Sequence, residues 1–193
     1  MNNEVKEFFE SIADNWNNIK DDLNKIDSIL KLVDIKENED ILDLGCGKGI
    51  ITPLIYNYTK RKVIGIDLSE KMIDGAKLKN NDLTKYEYIC GDYIDYKFSK
   101  KFDKIIIFNA FPHFLDKKAL ALKAYNDLKE DGKLVIMHNL GKDELNSYHN
   151  DHASKISCGL RDPKTEENEL KECFKLEKFL DESDRYLMIL NKI

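Results

Sequence analysis

Short apolar runs alternate with longer amphipathic stretches along this chain. Five runs are rich in β-branched residues and nearly continuous in apolar character, which is typical of parallel strands that are covered on both faces. Helical patterns follow the first, second and fourth runs, at residues 52–58, 69–80 and 116–129. This alternation of strand and helix predicts an α/β, doubly wound sheet. The five predicted strands cover residues 41–44, 63–66, 86–90, 104–108 and 134–137.

The two ends of the chain add further predicted elements. Residues 4–16 and 22–33 have helical patterns and precede the first strand. Near the other end, residues 174–180 and 186–190 flank the polar residues 182–184. This pattern predicts a hairpin, so we expect antiparallel strands to complete the sheet.

Composition and charge exclude several classes of protein. The chain has 193 residues with a net charge of −5, which favours one domain over residues 1–193 and argues against a nucleic-acid partner. No apolar run approaches the roughly 18 residues of a membrane helix, and the first ten residues lack the apolar core of a signal peptide. The four cysteines are widely dispersed, which predicts reduced thiols and a cytoplasmic location. The oligomeric state stays open.

The sharpest motif is the glycine loop ILDLGCGKG, residues 41–49, at the end of the first predicted strand. Gly45, Gly47 and Gly49 allow a tight turn and a close approach of a ligand to the backbone. Asp43 precedes the loop, and Asp67 ends the second strand about twenty residues after the glycines. In a doubly wound fold, an acid at that position reaches the two ribose hydroxyls of a nucleoside cofactor.

Three ligands compete for such a loop. A nucleotide P-loop would need G-x-x-x-x-G-K-[ST], and here Leu42 stands at the first glycine and Gly49 at the hydroxyl residue. A nicotinamide or flavin loop would need G-x-G-x-x-G, and Ile50 stands where the third glycine belongs. The remaining candidate is S-adenosylmethionine.

The chain resembles the class I S-adenosylmethionine-dependent methyltransferases, and in particular their small, single-domain bacterial members of the type 11 and type 25 kind. Their first motif is an acid followed by G-x-G-x-G, and VIGIDLSEKMI, YICGDYIDY, FDKIIIFNAFPHF and LKEDGKLVIMH are similar to the later motifs, in order. The resemblance implies that Asp67 binds the ribose, that Leu68 and Met72 pack near the adenine, and that Asp92 and Tyr93 bind the adenine. The cofactor-binding set that it implies is Trp16, Asp43, Gly45, Cys46, Gly47, Gly49, Asp67, Leu68, Met72, Asp92, Tyr93 and Asn109.

The same resemblance implies a fold. It is a Rossmann-like seven-stranded sheet of order 3-2-1-4-5-7-6, with strand 7 antiparallel and helices on both faces. Phe9, Ala13 and Trp16 match a pattern in which an N-terminal helix folds over the cofactor, which implies a helical cap over residues 1–35. The same apolar residues would also serve simply to dock the helix on the core. A probable acceptor lid covers residues 139–165.

All four histidines fall within one 40-residue stretch. His113 follows the fourth strand, His138 ends the fifth, and His149 and His152 are three apart, so they share a face of the next predicted helix. We expect His113, His138 and His149 to lie on the acceptor side, as a general base, as hydrogen-bond donors or as metal ligands. A metal is possible but not expected, because neither a Cys-x-x-Cys pair nor a carboxylate triad accompanies them. Each histidine also has an ordinary structural or surface interpretation.

The sequence therefore predicts methyl transfer from S-adenosylmethionine to a small molecule. Amino-methylating relatives often carry N-P-P-[YF] after strand 4, and here Asn109 is kept without the two prolines. That departure argues against methylation of a DNA base or a glutamine. Two other functions stay open: a non-catalytic protein that binds or senses S-adenosylmethionine, and a nicotinamide-dependent oxidoreductase.

Overall fold

Seven strands form one mixed sheet in the computed structural model, which describes residues 2–18, 22–152 and 155–193. Their order is β3-β2-β1-β4-β5-β7-β6, so the expected order is confirmed. The pairs β1–β2, β2–β3 and β4–β5 are parallel, whereas β7 runs antiparallel to both β5 and β6. The strands are β1 (Ile41–Leu44), β2 (Val63–Asp67), β3 (Tyr86–Cys90), β4 (Phe102–Phe108), β5 (Leu128–His138), β6 (Phe174–Glu182) and β7 (Arg185–Lys192).

The helices follow the predicted alternation. Both predicted N-terminal helical segments are present, and each ends in a short 3-10 helix, Ala13–Asn18 after the first and Lys31–Val33 after the second. A third 3-10 helix, Phe111–His113, follows β4. The α-helices of the described residues are α1 (Asn2–Ile12), α2 (Leu23–Leu30), α3 (Thr52–Thr59), α4 (Glu70–Lys79), α5 (Lys117–Asp127), α6 (Lys142–His152) and α7 (Pro163–Leu170).

The chain divides into two compact units, Met1–Lys97 and Phe98–Ile193. In the first unit, β1 is buried along its whole length, which explains why the sequence reads as a continuous apolar run around Asp43. α4 begins at a conventional cap, because the Ser69 hydroxyl accepts a hydrogen bond from the amide of Met72 (3.2 Å). α3 ends at Lys60, which adopts the left-handed conformation (φ 57°).

The second unit is built on β4, β5 and β7, whose central residues are almost all buried. Side-chain caps start its helices, since Asp116 accepts from the amide of Ala119 (2.9 Å) and Asp162 accepts from that of Thr165 (3.1 Å). The hairpin predicted near the C-terminus is confirmed as β6 and β7.

One boundary differs from the sequence prediction. We expected a helix through residue 129, a turn at 131–132 and a strand from 134, but α5 ends at Asp127 and β5 begins at Leu128. Leu128 is fully buried and pairs with Phe102, so burial extends the strand towards the helix. The register of β4 and β5 then shifts between Phe102 and Lys104. A Cβ at Gly132 would lie 2.8 Å from the Leu128 Cβ, so this glycine permits a bend within the strand rather than a turn before it.

No helix of residues 2–18, 22–152 and 155–193 is long and apolar enough to cross a membrane. The single domain over 1–193, the cap over 1–35 and the lid over 139–165 stay predictions. Within the predicted lid, α6 is followed by a loop and by the start of α7.

Candidate functional site

The glycine loop follows β1 in the first unit and turns through three left-handed residues. Gly45, Gly47 and Gly49 have φ values of 71°, 51° and 68°, which side chains with a Cβ rarely adopt. The amides of Gly45 and Cys46 both donate to the carbonyl oxygen of Ile66, at 2.9 and 3.1 Å. The end of β2 therefore fixes the start of the loop.

Two neighbours fix the end of the loop. The Asn80 Nδ2 donates to the carbonyl oxygen of Gly49 (3.0 Å) and to the Tyr88 hydroxyl (3.0 Å). A Cβ at Gly49 would lie 2.6 Å from that hydroxyl, so no larger residue fits there. A Cβ at Gly47 would meet no atom within 4 Å. The loop is thus packed on one glycine and open at another, which leaves room for a ligand beside Gly47.

Asp67 lies beside the open side of the loop. Its Oδ2 accepts a hydrogen bond from the amide of Gly47 (2.8 Å), and its Oδ1 accepts from the amide of Ser69 (2.9 Å). Burial raises the pKa of this carboxyl, and the two amides act against that rise. An ionised carboxylate offers about four acceptor positions, so Asp67 keeps capacity for the hydroxyls of a ribose.

Asp43 is almost completely buried (1% exposed). Its Oδ2 accepts from the Thr52 hydroxyl (2.6 Å), whereas its Oδ1 has no hydrogen-bond partner among the described residues. Burial raises the pKa of Asp43 to about 7. A polar group of the ligand would complete the bonding of this carboxyl.

The other predicted cofactor residues lie around the same strands. Met72 and Tyr93 are buried, Leu68 and Asp92 are half-buried, and the Asp92 Oδ1 accepts from the amide of Ile94 (3.0 Å). Cys46 is buried in the loop, and burial raises the pKa of its thiol. The side chain of Trp16 lies outside the described residues. The individual roles of these residues stay predictions.

The N-terminal helix α1 contacts the start of α4. The Glu10 carboxylate accepts a hydrogen bond from the amide of Glu70 (2.7 Å), and Asp14 pairs with Lys71 at 3.3 Å. An acid suits this position because the amides of a first helical turn lack partners within the helix. α1 is therefore held next to the segment that carries Asp67 and Leu68.

These residues fit S-adenosylmethionine as a group. The space beside Gly47 lets ligand atoms approach the backbone of the loop. Asp67 offers acceptor oxygens to the two ribose hydroxyls, and the Asp43 Oδ1 is a buried acceptor that has no donor among the described residues. The fit rests on the first unit alone.

In the second unit, two of the predicted histidines meet. The ring centroids of His113 and His149 lie 5.1 Å apart. The His113 Nδ1 lies 3.0 Å from the carbonyl oxygen of Ile156, and a carbonyl only accepts, so Nδ1 carries the proton and Nε2 the lone pair. The His149 Nδ1 bonds to the Ser157 hydroxyl at 2.8 Å. Burial lowers the pKa of both rings, that of His113 to about 4, so both are neutral at pH 7.

His138 completes the set at the end of β5. Its side chain is fully buried, its ring packs edge-on against that of Tyr186 (6.0 Å), and neither ring nitrogen has a hydrogen-bond partner among the described residues. Burial, and then the nearby positive charge of Lys117, lowers the pKa of His138 to about 3. His138 follows Met137, which pairs with Phe108 at the end of β4, so His138 lies at the same end of these strands as the 3-10 helix that carries His113.

Lys117 is the residue of this cluster that sequence reasoning missed. It reads as a solvated lysine in the first turn of α5, yet it is only 6% exposed. Its Nζ donates to the carbonyl oxygen of Phe111 and lies 3.2 Å from the centroid of the Phe111 ring. Burial lowers the pKa of this amine to about 8. In the first unit, Thr52, Asn80 and Tyr88 were also missed, because only the fold brings them to the loop.

Asn109 was placed among the cofactor residues, and both ends of its side-chain amide bond Asn139. Its Nδ2 donates to the Asn139 Oδ1 (2.8 Å), and its Oδ1 accepts from the amide of Asn139 (3.2 Å). Asn109 adopts a left-handed conformation (φ 53°), which asparagine tolerates better than most residues. The pair ties the end of β4 to the end of β5, and contact of Asn109 with a cofactor stays a prediction.

No group of three or more His, Cys, Asp or Glu in the part of the chain that the structure describes has the arrangement of a metal site. The side chain of His152 lies outside those residues. Metal binding by the histidines therefore stays the prediction made from the sequence, in which a metal is not expected.

A family model described as a methyltransferase domain matches residues 41–132. The malonyl-[acyl-carrier protein] O-methyltransferase of Acetivibrio thermocellus is 31% identical over 105 residues, which are 54% of this chain and 37% of that enzyme. The chain thus matches less than half the length of this relative.

Two solved structures share the fold over nearly the whole chain. The putative methyltransferase in complex with the Trm112 methyltransferase activator of Haloferax volcanii has a TM-score of 0.80 at 14% identity, covering 95% of this chain and 97% of that one. The magnesium protoporphyrin IX methyltransferase from Synechocystis PCC 6803, solved with bound S-adenosylhomocysteine, has a TM-score of 0.72 at 14% identity, covering 100% and 99%.

Proposed function

We propose that the chain is a class I S-adenosylmethionine-dependent methyltransferase, and that it transfers the methyl group of S-adenosylmethionine to a small-molecule acceptor. The match of residues 41–132 to the methyltransferase-domain model supports this proposal. The observation that supports this most directly is the contact between Gly47 and Asp67. A loop with an open glycine, next to a carboxylate with acceptor capacity left, is suited to a nucleoside ligand.

Four of the predicted cofactor-binding features have roles in this proposal. Asp67 binds the ribose hydroxyls, the glycine loop and Asp43 bind the polar end of the ligand, and Asp92 binds the adenine. S-adenosylmethionine, when bound, supplies a methyl carbon on a positively charged sulfur that is a good leaving group. The chain then has only to position the acceptor, exclude water and, where the acceptor is protonated, receive its proton.

We assign the proton-handling role to His113 and His149, with His138 as a neighbour on the acceptor side. Both rings are neutral at pH 7 because burial lowers their pKa values. The bond of His113 to Ile156 leaves Nε2 as the basic nitrogen. Alanine at His113 or His149 should therefore lower the rate of methyl transfer far more than the affinity for S-adenosylmethionine. An equal loss of both would indicate that the histidines only support the fold.

Calorimetry with S-adenosylmethionine and S-adenosylhomocysteine tests the cofactor. We expect both to bind the intact protein and Asp67→Ala to weaken binding at least about tenfold, because the ribose loses its acceptor. Asp74→Ala, a change of an exposed acid on α4, is the matched control and should bind as the wild type does. Undiminished binding by a folded Asp67→Ala variant, or binding of NADH in place of S-adenosylmethionine, would contradict the proposal.

Turnover separates an enzyme from a protein that only senses the cofactor. Formation of S-adenosylhomocysteine in the presence of a small-molecule acceptor library supports an enzyme, and tight binding without product supports a sensor. The cytoplasmic location stays a prediction from the dispersed cysteines.

A further inference from the structure

We propose that Lys117 and His138 bind an oxyanion, of the carboxylate or phosphate kind, that the methyl acceptor carries. This inference rests on the proposed function, since it names the chemical class of its acceptor. It is drawn from the second unit alone, where one buried ammonium and one buried imidazole lack the partners that their chemistry requires.

The ammonium of Lys117 has no carboxylate in contact among the described residues. Of its three N–H groups, one donates to the carbonyl oxygen of Phe111 and one bonds the Cys158 thiol, and the cation rests on the Phe111 ring. A neutral carbonyl, a thiol and a ring are weak compensation for a charge that is 94% removed from water, since Lys117 is 6% exposed. Buried charges are normally paired with an opposite charge.

The buried carboxylate that acts electrostatically on Lys117, that of Glu166, is paired with another cation. Glu166 is fully buried, and its two oxygens accept three hydrogen bonds from Arg161: one from the amide (3.0 Å), one from Nε (3.3 Å) and one from Nη2 (2.9 Å). Glu169 pairs with the same guanidinium at 3.2 Å. The charges of Arg161 and Glu166 therefore neutralise each other, and Glu166 does not neutralise the positive charge of Lys117.

His138 provides the second, independent observation. It is 0% exposed, and both its ring nitrogens lack a hydrogen-bond partner in the described part of the chain. Buried polar atoms are almost always hydrogen-bonded, so such a ring indicates a missing ligand group. The Tyr186 hydroxyl does not fill this role, because it donates towards the carbonyl oxygen of Arg161 (3.0 Å) and the Met188 Sδ (3.1 Å).

An oxyanion satisfies both residues, whereas a cation or an apolar group does not. It neutralises the ammonium and accepts from the N–H of an imidazole, and charge-assisted bonds of this kind are about twice as strong as neutral ones. Each titratable group that acts on Lys117 or His138 belongs to the second unit: His113, His149, Cys158, Arg161 and Glu166. Glu166 is the one carboxyl group in this set, and it is already paired with Arg161.

Histidine NMR of the intact chain tests the proposal, with acetate, inorganic phosphate and neutral acetamide as probes. No S-adenosylmethionine is needed, so the result does not depend on methyl transfer. We expect saturable shifts of the His138 ring signals with acetate, phosphate or both, and a rise of about one unit or more in the pKa of this ring. Acetamide, which has the shape of acetate without its charge, should have no such effect.

Two variants locate the response. Lys117→Met removes the ammonium and should weaken the acetate or phosphate response at least tenfold, while Lys123→Met, on the same helix and paired with Asp127 at 2.5 Å, should leave it unchanged. His138→Phe keeps an aromatic ring but removes both ring nitrogens and should weaken the response likewise, which covers the case in which Lys117→Met does not fold.

The outcomes separate the two sources of the oxyanion. A response to phosphate alone indicates a phosphorylated acceptor, and a response to acetate alone indicates a carboxylate. No saturable response to either anion, or an equal response to acetamide, overturns the inference. If the anions bind and S-adenosylmethionine does not, the proposed function fails while this site stands; if the cofactor binds and no anion does, only this inference fails.

Discussion

Replacing His138 with phenylalanine should make the protein more stable. The imidazole of His138 is fully buried against Tyr186, and both its nitrogens lack a partner among the described residues. A phenyl ring keeps the aromatic contact and removes both polar atoms. His113→Phe is the matched control, because the His113 Nδ1 donates to Ile156, and the same substitution there breaks a hydrogen bond.

The magnitude follows from the two polar groups. A neutral imidazole carries one N–H donor and one acceptor lone pair, and each costs about 1–3 kcal/mol when it is buried without a partner. The phenyl ring is larger than the imidazole, and overpacking the core with it costs about 1–3 kcal/mol. The net gain is about 2 kcal/mol, which for a chain of this size raises the melting temperature by about 4–8 °C. His113→Phe should lower it.

Thermal and urea unfolding at pH 7 measure this difference, and pH gives a second measurement. Burial lowers the pKa of His138 to about 3, so between pH 6.5 and pH 3 the unfolded chain binds a proton that the folded chain does not. Wild-type stability therefore falls as the pH falls through this window, by about 1.4 kcal/mol per pH unit for this one ring. The slope should be shallower by that amount in His138→Phe. A loss of stability at pH 7, or an unchanged slope, would show that the ring nitrogens are satisfied in the folded protein.

Three further predictions concern the first unit. Gly65→Ala should lower the free energy of unfolding by about 1–3 kcal/mol in urea, because the new Cβ would lie 2.9 Å from the Cys46 Sγ; an unchanged midpoint would refute the close contact. Glu10→Gln should weaken the docking of α1 on the amide of Glu70 and increase hydrogen exchange in α1, and equal exchange in both proteins would argue against this bond. Asp43→Asn should gain stability relative to the wild type as the pH rises from 4 through 7. The pKa of Asp43 in the folded chain is raised to about 7, so over this range the unfolded chain loses a proton that the folded chain keeps, and wild-type stability falls. Parallel curves of stability against pH in chemical unfolding would contradict this.

Much of the fold was predictable because burial leaves a direct pattern in the sequence. The continuous apolar runs located the five strands β1 to β5, and the helical pattern over residues 69–80 located α4. Gly132 was misread as part of a turn, because a glycine that permits a bend and one that ends an element have the same letter. The burial of Leu128 against Phe102, which extends β5, depends on tertiary pairing.

The candidate site was predictable only in part, for a related reason. The glycine spacing and Asp67 are local features, so the loop could be found from the sequence alone. The partners of the loop, Asn80 and Tyr88, lie about thirty to forty residues away, and nothing in the glycine motif points to them. The environment of Lys117 was not visible at all, since a lysine in a first helical turn normally reads as solvated.

The amide pair of Asn109 and Asn139 has a consequence for sequence evolution. The side-chain amide of Asn109 has one orientation, in which its Nδ2 donates to the Asn139 Oδ1 and its Oδ1 accepts from the backbone N–H of Asn139. An aspartate at residue 109 would set a carboxylate against the Asn139 oxygen, and most other residues would strain the left-handed backbone there. Among homologues, these two positions should therefore change together or not at all, and such paired change would be visible in an alignment long before any acceptor is known.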